Sequence, residues 1–282
     1  MKLVRFGDAG LEIPGVLDAD GKIRSLHEVI GDVDGTSISP DSLRELASID
    51  PKSLPLVEGN PRIGPCLGNV GKLIGIGLNY SDHAAETGLA IPHEPIIFMK
   101  ATSAICGSYD NVEIPSYAKK TDWEVELAFA IGMRAKNIDP EKALDYVAGY
   151  FIVNDISERS WQIEREGQWT KGKSHDTFAP LGPWFVSADE VCDPGNLTMT
   201  LDVNGVRRQD GSSRTVIFSI SELVVYLSKF MTLNPGDVVT TGTPPGVGLG
   251  MKPPVYLNPG DVMRLEIEGL GYQEQTVVQA DD

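Results

Sequence analysis

The sequence predicts an α+β fold that is mostly β, with a small β-rich unit over residues 1–70 and a larger β-rich domain over 71–282. Three observations support this. Apolar stretches are short and repeatedly cut by turn residues, with 30 glycines and 19 prolines in 282 residues, which suits strands and tight connections better than long helices. Turn signals such as Asn204-Gly205 and Gly269-Leu270-Gly271 sit between apolar runs and mark antiparallel hairpins. Apolar residues at helical spacing are confined to a few brief segments.

In chain order, Lys2–Phe6 alternates as a strand, and residues 14–26 read as a hairpin around Asp18 to Gly21. Ser39 and Pro40 supply an N-cap and a first-turn proline to a helix on which Leu43, Leu46 and Ile49 share a face. Residues 51–69, rich in proline and glycine, are expected to be the linker. Strands are expected over 73–76, 96–99, 123–131 and 150–154. Asp139-Pro140 caps a helix over 141–147. A second spans 219–231 with Leu223, Val224, Leu227 and Met231 at helical spacing, and a shorter third begins near Ser157. Residues 197–203 and 263–268 lead into the two hairpin turns, so the later half is mostly antiparallel β. Asn-Pro-Gly-Asp occurs at Asn234 and Asn258 with unmatched flanks, as two tight turns and not a repeat.

Forty acidic against twenty-four basic residues give a net charge of −16, which repels phosphate backbones and anionic membranes and argues against nucleic-acid or membrane binding. An anionic substrate therefore needs a metal or a few placed cations. Cys66, Cys106 and Cys192 form no CxxC pair and read as small apolar fillers in a reducing cytoplasm. No apolar run approaches the roughly 20 residues of a membrane span, and the start lacks a signal-like apolar stretch, so a cytoplasmic location is expected.

Glu124 and Glu126 stand two apart in an otherwise apolar stretch, so strand periodicity puts both carboxylates on one face. Such a pair attracts a hard cation such as magnesium, manganese or calcium; a solvated edge strand is the competing reading. Asp155 ends an apolar strand, where a buried carboxylate wants a partner, and would supply a third ligand or else cap the helix entered at Ser157. His83 and Glu86 lie three apart on a short helix closed by Gly88, either as a carboxylate-oriented general base or as a surface ion pair. Lys171 and Lys173 occupy a glycine-punctuated loop where they reach an anion or solvent. Thr240 to Gly248 offers hydroxyls and amides to a carboxylate but lacks the ending of a phosphate loop.

Taken in order, Gly75-x-Gly77-x-Asn79-Tyr80-x-Asp82-His83-x-x-Glu86, Glu124-x-Glu126, Asn154-Asp155-x-Ser157, Gly172-Lys173-Ser174 and Thr241-Gly242-Thr243-Pro244 resemble the fumarylacetoacetate hydrolase family over residues 72–278. The resemblance implies a mixed β-roll or sandwich with short helices behind a variable β-rich N-terminal domain. It implies Mg2+ or Mn2+ on Glu124, Glu126 and Asp155, a water-activating pair in His83 and Glu86, a catalytic Lys173, and substrate contacts from Arg159, Gln162 and Thr243. An additional upstream carboxylate ligand of the founding enzyme has no match here. The stretch from Ser157 to Lys173, with residues 267–271, is similar to the bacterial subgroup acting on 2,4-diketo-3-deoxy sugar acids such as those from L-fuconate or L-rhamnonate, often labelled ureidoglycolate lyase. Hydrolysis of the C3–C4 bond to pyruvate and a hydroxy acid by a homodimer is the implied activity. Its rivals are oxaloacetate decarboxylation, acylpyruvate hydrolysis, ureidoglycolate cleavage, and a non-catalytic protein that binds metal or sugar acid.

Overall fold

The structure is a computed structural model and describes residues 1–281. Strands β1 (Lys2–Phe6), β2 (Ile13–Leu17) and β3 (Ile23–Ser25) pair antiparallel. The Asp18 carboxylate accepts the Asp20 and Lys22 N–H groups in the β2–β3 turn. Helix α1 (Pro40–Ala47) starts at Ser39, whose hydroxyl accepts from the Ser42 N–H. Residues 51–69 lie against the body: Arg62 joins Glu12 at 2.9 Å and Asp110 at 2.5 Å, and Ile63 bridges Phe6.

The central part runs β4 (Leu73–Gly77), α2 (Ser81–Thr87), β5 (Ile96–Lys100), β6 (Ile105–Cys106), β7 (Val112–Ile114), β8 (Thr121–Asp122), β9 (Val125–Ile131) and β10 (Val147–Asn154). It continues through β11 (Ser157–Glu158), α3 (Arg159–Ile163), α4 (Thr170–Lys173) and β12 (Ala179–Ser187). The last part is β13 (Thr198–Val203), β14 (Val206–Ser212), α5 (Ile220–Phe230), β15 (Val238–Thr240), β16 (Val262–Ile267) and β17 (Gly271–Gln279).

One sheet has the order β3-β2-β1-β12-β10-β9-β15-β4-β5, with β6 on β12; a second has the order β14-β13-β16-β17-β7. The first three strands extend the large sheet through β1 on β12, with Leu3 opposite Phe185. Strands β13, β16 and β17 pack over β9, β10 and β12, so both faces of β9 and β10 are covered and every residue of the two strands is buried. That double burial is why both read as apolar runs without alternation. The inward face of β17 is polar instead: Gln273 donates to the Ile152 and Gly182 carbonyls, and Gln275 to the Ser108 carbonyl, so these buried amides are satisfied.

Several local expectations shift. The helix placed at Ser157 begins at Arg159, because Glu158 is the N-cap and accepts from the Ser160 N–H; Asp155 does not cap it. The helix after Asp139 is a 3-10 helix over Pro140–Tyr146. Lys171 to Lys173 is a short helix and not a loop, with Gly172 and Lys173 buried. Trp123 and Trp161 are buried within the chain. Cys66 and Cys106 are buried as expected, but Cys192 is exposed. Among the described residues no helix is long and apolar enough to cross a membrane.

Helix α5 begins with a complete capping box: Ser219 accepts from the Glu222 N–H while Glu222 accepts from the Ser219 N–H. Ser219→Ala is expected to lower stability by about 1 kcal/mol, read as an earlier urea midpoint at unchanged slope.

Candidate active site

Glu124 immediately precedes β9, Glu126 lies on it, and Asp155 follows the last residue of β10. Antiparallel pairing sets Asn154 opposite Val125, and the Asp155 N–H donates to the Glu124 carbonyl at 2.9 Å. Strand pairing thus brings together carboxylates about thirty residues apart. One oxygen from each of Glu124, Glu126 and Asp155 lies within 4.8 Å of the others, and all three residues are buried.

Three buried cations brace the group. Lys173 Nζ donates to Glu124 Oε2 at 2.7 Å and to Asp155 Oδ2 at 2.6 Å. Arg159 reaches Glu124 Oε1 at 2.7 Å and Asp122 Oδ2 at 2.9 Å. Lys100, to which the sequence reading assigned no role, donates to Asp155 and to the Ile156 carbonyl. Burial opposes ionisation of Glu124, but Lys173 and Arg159 hold its carboxyl well below the ordinary range. Burial, with Asp155 and Glu124 alongside, pushes Glu126 well above it. Glu126 accepts the Gly242 N–H at 3.0 Å, with the Thr240 side chain alongside, and has no ion-pair partner among the described residues. Four buried carboxylates, Asp122 included, therefore face three cations. Glu126 is the carboxyl left uncompensated and held toward its neutral form, and a hard divalent cation would favour its ionised form.

Local sequence explains how the lysines arrive. Gly172 packs so closely on α3 that a Cβ there would lie 2.6 Å from the Gln162 nitrogen. Ser174 Oγ accepts the Ala101 N–H at 2.9 Å, which sets Lys173 next to Lys100. Two buried amides fix the carboxylate strand: Asn154, which the sequence motif includes without a role, and Gln209, which was missed. Asn154 accepts the Glu124 N–H and donates to Gln275, while Gln209 accepts the Val125 N–H and donates to Thr243 Oγ1 at 2.8 Å. Asp122 accepts the Gly248 and Leu249 N–H groups as well as Arg159.

Helix α2 carries the second group. Gly88 closes it in the left-handed conformation at φ 68°, which glycine adopts without strain. Asn79 anchors its start, donating to the Phe218 and Thr241 carbonyls. His83 Nδ1 lies 3.0 Å from Glu86 Oε2, and Glu86 also accepts the Gly246 N–H at 3.0 Å, so His83 Nε2 is left for the cavity. The two side chains are only 12% and 24% exposed, which sets them apart from a solvated ion pair.

A cavity of about 130 Å³ is lined by His83, Glu124, Glu126, Arg159, Gln162, Lys173 and Thr243 among others, gathering most of the expected site residues; Glu86 and Asp155 stand directly behind it. Arg159 also donates to Gln162 Oε1 at 3.0 Å, leaving the Gln162 amide nitrogen toward the cavity. The Thr243 hydroxyl already donates to the Val125 carbonyl at 2.9 Å, so its proton serves the strand. Glycines at 75 and 77 make room for one wall. A Cβ at Gly75 would lie 2.1 Å from the Phe98 ring, and one at Gly77 would lie 2.3 Å from the Trp169 ring. Phe98 in turn underlies the Lys173 ammonium, 5.1 Å from the ring centre.

Residues 72–278 match the model of the fumarylacetoacetate (FAA) hydrolase C-terminal family. A protein of Burkholderia lata, provisionally described as a hydrolase with no substrate named, is 58% identical over 276 residues, covering 98% of each chain. The structure of a fumarylacetoacetate hydrolase from Exiguobacterium antarcticum superposes with a TM-score of 0.88 at 35% identity, covering 99% of this chain and 100% of that one. A maleylpyruvate hydrolase from Sphingobium sp. SYK-6, solved with manganese(II) and pyruvate, gives 0.83 at 29% identity with 100% of both chains covered.

Proposed function

The chain belongs to the fumarylacetoacetate hydrolase family, and on that premise we propose that it is a divalent-cation-dependent hydrolase cleaving the C3–C4 bond of a 2,4-diketo acid. The observation that carries this reading is that a carboxylate-held imidazole and a buried carboxylate cluster open onto one cavity. A bare ion site needs no His83–Glu86 pair. Glu124, Glu126 and Asp155 would hold Mg2+ or Mn2+, which when bound supplies Lewis-acid stabilisation of charge on a keto acid. The manganese and pyruvate of the Sphingobium enzyme support a divalent cation and a keto acid at this site.

The chain's own residues supply the rest. Glu86 orients His83, so that Nε2 takes a proton as water attacks C4. The C3–C4 bond then breaks with its electron pair on C3, and the returning proton makes pyruvate. The acyl half leaves as a carboxylic acid. Of the three Lys173 protons two are held by Glu124 and Asp155; the third is available to the oxyanion at C4, a contribution of about 3 kcal/mol in comparable sites. Gln162 presents its amide nitrogen to a substrate oxygen.

Within this class we favour 2,4-diketo-3-deoxy acids derived from L-fuconate or L-rhamnonate, which would give lactate beside pyruvate, acted on by a homodimer. The similarity of residues 157–173 and 267–271 to that subgroup supports this choice. The test is product release by chelator-stripped protein with and without added Mg2+ or Mn2+. Cation-dependent, equimolar pyruvate and hydroxy acid is the expected result. Pyruvate from oxaloacetate alone would make the protein a decarboxylase, and urea from ureidoglycolate would make it a lyase.

A further inference from the structure

Building on the hydrolase reading, we infer that the cavity takes 2,4-diketo acids whose acyl end is uncharged and turns away those that end in a second carboxylate. Floor and rim differ in kind. The charged side chains of the floor are buried, and each cation there already faces carboxylates: Lys173 between Glu124 and Asp155, Arg159 between Asp122 and Glu124. The rim is formed by Leu78, Thr87, Leu89, Ile163, Trp169 and Leu249. Leu89 is 58% and Ile163 51% exposed, so this wall faces the entrance.

Among the described residues no lysine or arginine lines the rim. The acid beside it is Glu86, packed between His83 and Gly250. Cations of the adjoining loop are turned elsewhere: Arg165 lies over the Trp161 ring at 5.9 Å, and the Lys171 ammonium donates to the Arg165 carbonyl at 2.6 Å. The first carboxylate of a diketo acid and its keto oxygens are met on the floor. A second carboxylate at the rim would shed water beside leucine, isoleucine and tryptophan with no cation in return. The net charge of −16 adds repulsion. An alkyl or hydroxyalkyl end avoids that cost and gains apolar contact.

The experiment compares two isosteric acylpyruvates, one ending in an isopropyl group and the other in a carboxylate, on the intact cation-loaded protein. kcat/KM is expected to favour the neutral acid by about 30-fold or more, the scale of an unpaired polar group in an apolar pocket. Ile163→Arg is expected to cut that ratio at least about tenfold by supplying the missing cation. Calorimetric Kd values for both acids on cation-loaded His83→Ala give the same ratio without turnover. If neither acid is hydrolysed but the neutral one binds more tightly, the selectivity stands and the hydrolase reading falls. Equal or better handling of the dicarboxylate by the unaltered protein overturns the selectivity and leaves the hydrolase reading intact.

Discussion

His83→Ala loses turnover by about 10³-fold, within the range for a positioned general base, while its affinity for Mg2+ or Mn2+ stays within about threefold of the parent's, a difference under 1 kcal/mol. The two readouts separate because the imidazole contacts none of the three clustered carboxylates. Its hydrogen bond runs to Glu86, which is held from behind by the Gly246 N–H. Steady-state kinetics and cation titration by calorimetry measure the two effects. Turnover above a tenth of the parent's would remove the imidazole from the reaction. A matching loss of cation affinity would mean that it serves the acidic floor.

Lys173→Met is expected to weaken the cation-free protein by about 3 kcal/mol, at the lower end of the cost of breaking a buried ion network, or roughly 5 °C in Tm for a chain of this size. The ammonium lies between Glu124 and Asp155 at 2.7 and 2.6 Å, and its loss leaves Arg159 and Lys100 as their remaining cation partners. A divalent cation should therefore raise Tm more in the variant than in the parent, because it replaces charge that the parent already has. Turnover should also fall about 10²-fold or more with loss of the oxyanion donor. Calorimetric scans with and without Mn2+ check the first expectation. Equal Tm increments in the two proteins would show that the ammonium does not compensate the carboxylates.

Most of the site was legible wherever its signal was local. Period-two spacing placed Glu124 and Glu126 on one face, and the cost of a carboxylate ending an apolar strand singled out Asp155. Three-residue spacing joined His83 to Glu86. The residues that were missed act across long sequence separations. Lys100 meets Asp155 fifty-five positions away, and its only sequence mark is a lysine at the end of the strand Ile96–Lys100. Gln209 holds the Val125 N–H from eighty-four positions away, and nothing around it distinguishes it from a hairpin surface glutamine. Arg159, expected to contact substrate, lines the cavity and also holds Asp122, Glu124 and Gln162, partners the sequence did not reveal. In the fold, the pairing of β1 with β12 joins residues more than 180 apart, which local periodicity cannot register. The start of α3 lies two residues beyond Ser157 because Glu158, not Asp155, serves as its cap.

The dyad and the acidic floor are carried by different pieces of chain. The floor is set by β9, β10 and the buried amides behind them, whereas His83 and Glu86 ride on a seven-residue helix pinned mainly through Asn79 and the Gly246 loop. On the proposed reading, a substitution at His83 would remove the activation of water and leave the carboxylate floor in place. A descendant that lost the imidazole would keep the machinery for draining electrons from a carbon next to a carbonyl, which is what decarboxylation or enolisation requires. On that reading a new reaction on this scaffold would arise by subtraction, from a single codon, with the costly buried half of the site inherited whole.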